Sequence, residues 1–241
     1  MNSILKQIVE KKRADLILMK QNSFLNLVKN KMGIIAEIKL SSPTVPFFGS
    51  KKDIIKKVID YEQAGADAIS VITEKHFFKG RPEFISRIKK KVSLPILQKD
   101  FIIDPFQIYE AKMIGANALL LIAKIVNEQT LIKFVSLCQE IGLEPIVEIN
   151  DEDDFKKALA TSTKIIAVNA RNLETFIVDI DIACKLIKKI PNQFIKLGFS
   201  GIMSSVEVKK YQQAGAKGVL IGTALMKARN VKNYMNSLRV S

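Results

Sequence analysis

Tryptophan is absent from this 241-residue chain, and cysteine occurs only twice, at Cys138 and Cys184. Two cysteines so far apart in the chain exclude a disulfide framework or a cysteine-based metal cluster. Long apolar runs are also missing. The stretch Ala118-Leu-Leu-Leu-Ile-Ala123 is far shorter than the roughly 20 residues that span a bilayer, so no membrane partner is expected. The N-terminus, Met1-Asn-Ser-Ile-Leu-Lys-Gln7, has no basic segment leading into an apolar one, and no secretory signal is visible. No linker rich in glycine, proline or serine divides the chain. These absences predict one cytoplasmic domain, and 241 residues is an ordinary length for a single α/β barrel. Hydrophobic residues make up 48% of the chain, enough for a sizeable core.

Charge is the one lopsided quantity, with a formal net of +14. A basic surface suits a polyanion such as nucleic acid. The lysines, however, are scattered in short clusters (51–52, 56–57, 89–91, 188–189) on helix-like segments, and no motif interleaves them with aromatics. The pattern describes solvated helix faces with some steering of an anionic small molecule, and no nucleic-acid partner is expected.

A repeat organises the chain. Ala64-Gly-Ala-Asp-Ala-Ile-Ser-Val-Ile-Thr73 returns as Ile114-Gly-Ala-Asn-Ala-Leu-Leu-Leu-Ile-Ala123 and as Ala214-Gly-Ala-Lys-Gly-Val-Leu-Ile-Gly-Thr223. Each copy reads as a helix end, a glycine turn and a wholly apolar strand, the strand type that parallel sheets bury on both faces. The spacing of about 50 residues is two βα units of ordinary size. Strands are predicted over 33–39, 68–72, 95–99, 118–122, 144–148, 164–168, 194–198 and 217–221. Helices are predicted over 52–63, 82–91, 105–114, 128–141, 151–159, 180–189, 205–213 and 231–238. Eight alternating units favour a closed (β/α)8 TIM barrel over residues 33–241, with an open doubly wound sheet as the fallback. No Gly-x-Gly-x-x-Gly follows the first strand, which removes the dinucleotide-binding form of that fallback. Residues 1–32 form a short N-terminal helical extension, read as one or two amphipathic helices packed on the barrel, over its bottom or beside its entrance.

In this fold the active site stands at the C-terminal strand ends. Glu37 and Lys39 end the first strand on one face, Lys99 ends the third, Glu148 the fifth and Asn169 the sixth, with Arg171 just beyond. Charged residues inside a barrel are costly unless paired or used. Two lysines and two glutamates in one mouth can neutralise each other and move protons. The Ser200-Gly201 and Gly222-Thr223 turns follow strands seven and eight, where barrels commonly bind phosphate through backbone N–H groups.

Ile35-Ala-Glu-Ile-Lys-Leu-Ser-Ser-Pro43 resembles the first-strand motif of indole-3-glycerol phosphate synthase. Ser70-Val-Ile-Thr-Glu74 with Phe78-Lys-Gly80, Pro95-Ile-Leu-Gln-Lys-Asp-Phe101, Glu144-Pro-Ile-Val-Glu-Ile-Asn-Asp151, Asn169-Ala-Arg-Asn-Leu173 and Ser200-Gly-Ile202 follow in that family's order, across residues 33–227. The resemblance implies a lyase of tryptophan biosynthesis. Such an enzyme converts 1-(2-carboxyphenylamino)-1-deoxyribulose 5-phosphate to indole-3-glycerol phosphate with loss of CO2 and water, without metal or organic cofactor. It implies Lys99 as the general acid and Lys39 as the holder of the substrate carboxylate, with a share in the later loss of water. Glu37 would orient Lys39, Glu148 would be base or charge stabiliser, and Asn169 would hydrogen-bond the substrate. Ser42, Ser200, Gly201, Gly222 and Thr223 would grip phosphate. Pro43, Phe78, Phe101 and Leu120 would surround the aromatic ring, although Phe101 and Leu120 read equally well as core. Arg171 would contact substrate or pair with Glu148.

The chain departs from the family pattern in three places. Phe199 stands where a glutamate usually precedes Ser-Gly-Ile, the segment 44–49 reads Thr-Val-Pro-Phe-Phe-Gly in place of small and basic residues, and the N-terminal extension is short. The alternative reading is a barrel of the same family that binds a phosphosugar without turnover or with altered specificity. Phosphoribosylanthranilate isomerase chemistry needs a cysteine–aspartate pair at strand ends, where neither Cys138 nor Cys184 falls. A monomer or weak homodimer is expected. Duplex DNA should leave the protein's electrophoretic mobility unchanged at physiological salt, and a salt-dependent shift would restore the nucleic-acid reading.

Overall fold

Alternation along eight short strands sorts their side chains into two separate apolar layers. The computed structural model describes residues 32–43, 47–48 and 53–239, with positions 4, 6, 7, 9–11, 13 and 24 nearer the N-terminus. The strands are β1 (Gly33–Ile38), β2 (Ala68–Ile72), β3 (Ile96–Lys99), β4 (Ala118–Ile122), β5 (Glu144–Ile149), β6 (Ile165–Asn169), β7 (Ile195–Phe199) and β8 (Gly218–Ile221). All pair in parallel with their chain neighbours. β8 pairs back onto β1, placing Gly33 opposite Gly218 and Ala36 opposite Ile221. The sheet is a closed barrel, so the open-sheet fallback falls away.

Ile35, Leu97, Leu120, Ile146, Ala167, Leu197 and Leu220 fill the barrel interior with residues from alternate strand positions. Their neighbours, such as Ile34, Ile69, Leu119, Val147, Ile166 and Val219, face the helices and form a larger outer core. Strand residues facing either layer are apolar and buried, which is why the strands read as continuous apolar runs. Phe24 is buried within the interior cluster. Positions 4, 6, 7, 9–11 and 13 are helical and exposed. The remainder of the extension expected over 1–32, and most of the segment 44–49, lies outside the described residues.

Helices begin where the sequence supplies caps. Asp104, Asn127, Asp151, Asp179, Ser204 and Asn230 each accept a hydrogen bond from a first-turn N–H. Asp104 and Ser204 complete capping boxes with Gln107 and Glu207. The repeated glycine is needed by its backbone: Gly65, Gly115 and Gly215 have φ of 85°, 91° and 101° at the ends of helices leading into β2, β4 and β8. Two short elements were not anticipated, a 3-10 turn at Ala123–Ile125 and a helix at Thr223–Lys227. Both are too brief to show a helical period.

Leu120 has no solvent exposure and sits among the interior residues. Leu120→Ala should therefore lower the unfolding free energy by roughly 2–5 kcal/mol in chemical denaturation. Unchanged stability would show that the interior tolerates a void there.

Candidate active site at the C-terminal strand ends

A cavity of about 430 Å³ opens at the C-terminal ends of the strands. Glu37, Lys39, Lys99, Glu148 and Asn169 all line it, so residues separated by up to 132 positions (37 to 169) meet around one space. Inward alternation accounts for each: Glu37 lies two residues after Ile35, Lys99 after Leu97, Glu148 after Ile146 and Asn169 after Ala167.

The charges are paired within the cavity. Lys39 Nζ lies 3.0 Å from Glu37 Oε1, and Lys99 Nζ lies 3.3 Å from Glu148 Oε2. Glu148 is fully buried and its other oxygen accepts from Asn169 Nδ2 at 3.0 Å. Lys39 Nζ also faces the Phe48 ring at 5.3 Å, and Lys99 Nζ faces the Phe199 ring at 5.8 Å. A fully desolvated carboxylate holding one lysine and one amide is the arrangement in which a proton can be passed without free charge being left behind.

The β7 end is held in an unusual conformation. Ser200 and Gly201 are left-handed in succession, with φ of 72° and 81°. Non-glycine residues rarely adopt this geometry, and such backbone strain persists only where the surrounding structure fixes it. The Tyr211 hydroxyl lies 3.1 Å from both the Phe199 and the Ser200 carbonyl oxygens. Burial pushes that hydroxyl well above its ordinary pKa, which keeps it a donor. Gly222 precedes the short helix Thr223–Lys227, and its bare Cα lets Glu37 close in: a Cβ there would stand 2.1 Å from Glu37 Oε1 and 3.2 Å from Lys39 Nζ.

Pro43, Phe78, Phe101, Arg171, Ser200, Gly201, Gly222 and Thr223 also line the cavity. Ser42 and Leu120 do not, and Leu120 is buried below it. Arg171 forms no ion pair with Glu148. Its Nη1 donates to the Phe176 carbonyl at 2.9 Å, and its backbone N–H donates to Asn169 Oδ1 at 3.0 Å. Glu148 is instead partnered by Lys99 and Asn169.

Sequence reasoning did not assign Phe77, Asp100, Leu173, Phe176 or Met203, all of which line the cavity. Burial pushes the Asp100 carboxyl above its ordinary value, opposed by hydrogen bonds from the Thr73 hydroxyl and the Phe101 N–H. Gln98 Nε2 in turn donates to Thr73 Oγ1 at 3.2 Å. Glu74 was also missed as a scaffold. Its carboxylate accepts from the N–H groups of His76, Phe77 and Phe78, at 2.8, 2.8 and 3.0 Å. Burial alone would raise its pKa, but the three donors together hold it below the ordinary value. This clasp sets Phe78 beside Phe101, with ring centroids 6.5 Å apart.

No group of three or more metal-ligating side chains occurs among the described residues, and no described helix is long and apolar enough to cross a membrane.

Fold and site together define a (β/α)8 barrel of the enzyme type, with its ionisable groups gathered at the C-terminal mouth. Residues 4–238 match the family model for indole-3-glycerol phosphate synthase. The indole-3-glycerol phosphate synthase of Lachnoclostridium phytofermentans is 39% identical over 218 residues, covering 90% of this chain and 80% of that protein. That of Aliarcobacter butzleri is 37% identical over 258 aligned positions, covering 98% of each. A crystal structure of 3-hexulose-6-phosphate synthase superposes with a TM-score of 0.69 at 14% identity, covering 86% of this chain and 98% of that one, a likeness of fold. This chain belongs to the indole-3-glycerol phosphate synthase family.

Gly222→Ala is expected to push Glu37 away from Lys39 and to weaken binding of a phosphorylated ligand at least tenfold by titration calorimetry, that is by about 1.4 kcal/mol. Undiminished affinity would show that the close approach at Gly222 does not matter to the site.

Proposed function

We propose that this protein is a carbon–carbon lyase that closes the indole ring. It converts 1-(2-carboxyphenylamino)-1-deoxyribulose 5-phosphate to indole-3-glycerol phosphate, CO2 and water, within tryptophan biosynthesis. The observation that carries the reading is the convergence of two lysine–carboxylate pairs and Asn169 on one cavity.

The reaction explains those residue types. The ring carbon bearing the carboxylate attacks the C2 carbonyl, a C–C bond forms, and the carbonyl oxygen gathers negative charge. Lys99, at the cavity wall, gives that oxygen a proton. Loss of CO2 then returns an electron pair to the ring and restores its aromaticity. The new hydroxyl leaves as water and a proton leaves C1, with Glu148 acting as base or charge stabiliser. Asn169 keeps the Glu148 carboxylate fixed and hydrogen-bonds the substrate. Lys39, set by Glu37, holds the substrate carboxylate and shares in the loss of water. The phosphate is read into the backbone cradle at Ser200–Gly201 and Gly222–Thr223, and the aromatic ring between Pro43, Phe78 and Phe101. No step calls for a metal or organic cofactor.

The absence of tryptophan makes the test direct, because indole emission would rise from product alone. Purified protein given the carboxyphenylamino substrate should develop that emission. Lys99→Met should cut turnover by at least about 100-fold while leaving substrate affinity largely intact. Wild-type protein that binds the substrate but makes no indole would favour the non-catalytic barrel of the same family. Near-normal rates in the lysine variant would show that another group is the acid.

A further inference from the structure

Both cavity lysines are built alike. Each has one carboxylate at ion-pair distance, Glu37 for Lys39 and Glu148 for Lys99. Each also has one aromatic face within cation–π range, Phe48 for Lys39 and Phe199 for Lys99. These two phenylalanines occupy the two internal departures from the family pattern noted above, the loop 44–49 and the position where a glutamate is usual. Phe199 is almost wholly buried, pairs in register with Asn169, and has its carbonyl held by the Tyr211 hydroxyl. The Phe48 N–H donates to the Leu40 carbonyl at 2.9 Å, which ties that ring to the strand end carrying Lys39.

We infer that Phe199 and Phe48 are positioning residues, each using its ring face to hold a cavity lysine, Phe199 doing so at the position where a carboxylate is usual. The advantage lies in charge. The cavity is lined by Glu37, Asp100 and Glu148 against Lys39, Lys99 and Arg171, a balance of three and three. A glutamate at 199 would tilt this balance negative against a substrate carrying both a phosphate and a carboxylate. A ring's negative face attracts an ammonium and adds no net charge. The inference deepens the proposed function and rests on it for the roles of the two lysines.

The two rings act through different lysines, so their loss should appear in different kinetic parameters. Phe199→Leu should lower kcat roughly three- to tenfold through Lys99, with KM within about twofold. Phe199→Tyr should restore the wild-type rate. Phe48→Leu should raise KM by a similar roughly threefold or greater factor through Lys39, leaving kcat within about twofold. Phe199→Glu should raise KM. Graded fluorination of the Phe199 ring preserves its size and fold while draining its negative face, and kcat should fall in step. A flat fluorination series, or kcat and KM moving together in both leucine variants, would overturn the inference. Nuclear magnetic resonance keeps its failure separate from that of the proposed function. In 13C-lysine-labelled protein the Lys99 ε-methylene resonance should lie upfield of its position in Phe199→Leu, whether or not the protein turns over. Coincident resonances would show no ring contact. Absent turnover with a displaced resonance would sink the proposed function and leave the contact standing.

Discussion

Glu148 has no access to solvent, and the mouth of the barrel is arranged around that fact. An isolated carboxylate in such surroundings would be strongly unfavourable, and stripping one partner from a buried ion pair costs about 3–5 kcal/mol. Lys99 and Asn169 must therefore stand where they do, at the ends of β3 and β6, on either side of β5 in the barrel wall. That requirement fixes strand register as well as charge. A slip of one residue in β3 would send Lys99 outward into the apolar shell and Gln98 inward. The buried Lys99–Glu148 pair is thus also a check on correct barrel closure. The exposed pairs Lys156–Asp153 and Lys210–Asp181 place no such demand, since both partners already have water.

Support for this centre comes from polar side chains that tie one loop to the next. Asn150 Nδ2 lies 2.8 Å from both the Asn169 and the Arg171 carbonyl oxygens, linking the end of β5 to the loop after β6. The Ser41 hydroxyl donates to the Phe77 carbonyl at 2.9 Å, joining the loops after β1 and β2. Glu74 does the same work within a single loop, and Tyr211 ties the helix Ser205–Ala214 to the end of β7. The site is consequently held mainly by neighbouring strand ends, with Tyr211 reaching in from the outer helical layer.

Most of this architecture was legible from residues alone, for reasons that can be named. Strands buried on both faces announce themselves as apolar runs, and the glycine at each repeated αβ turn marks where they begin. The ends of β1, β3, β5 and β6 carried charged or amide residues where an inert strand would have an apolar one, so Glu37, Lys99, Glu148 and Asn169 stood out. Arg171 was harder, since its partner, the Phe176 carbonyl, lies in the irregular loop after β6, which carries no periodic pattern to read. Phe77, Phe176 and Met203 reach the cavity from loops, where no period predicts direction. Leu120 shows the converse: an apolar residue on the inward face belongs to the lining or to the packing below it according to depth, and depth is set by the stagger of strands around the barrel.

The β1–β8 seam has a consequence for the chain as it is made. Gly33 must wait for Gly218 before the ring of strands can shut, and synthesis proceeds from the N-terminus at about 5–20 residues per second. For some ten seconds or more on that scale the growing polypeptide carries two unsatisfied rims, one along β1 and one along its newest strand, each able to recruit a stranger's backbone. The same delay postpones Gly222, against which Glu37 rests. A ribosome-bound fragment is therefore sticky and incomplete at its mouth together, and the arrival of β8 with Gly222 removes both liabilities at once.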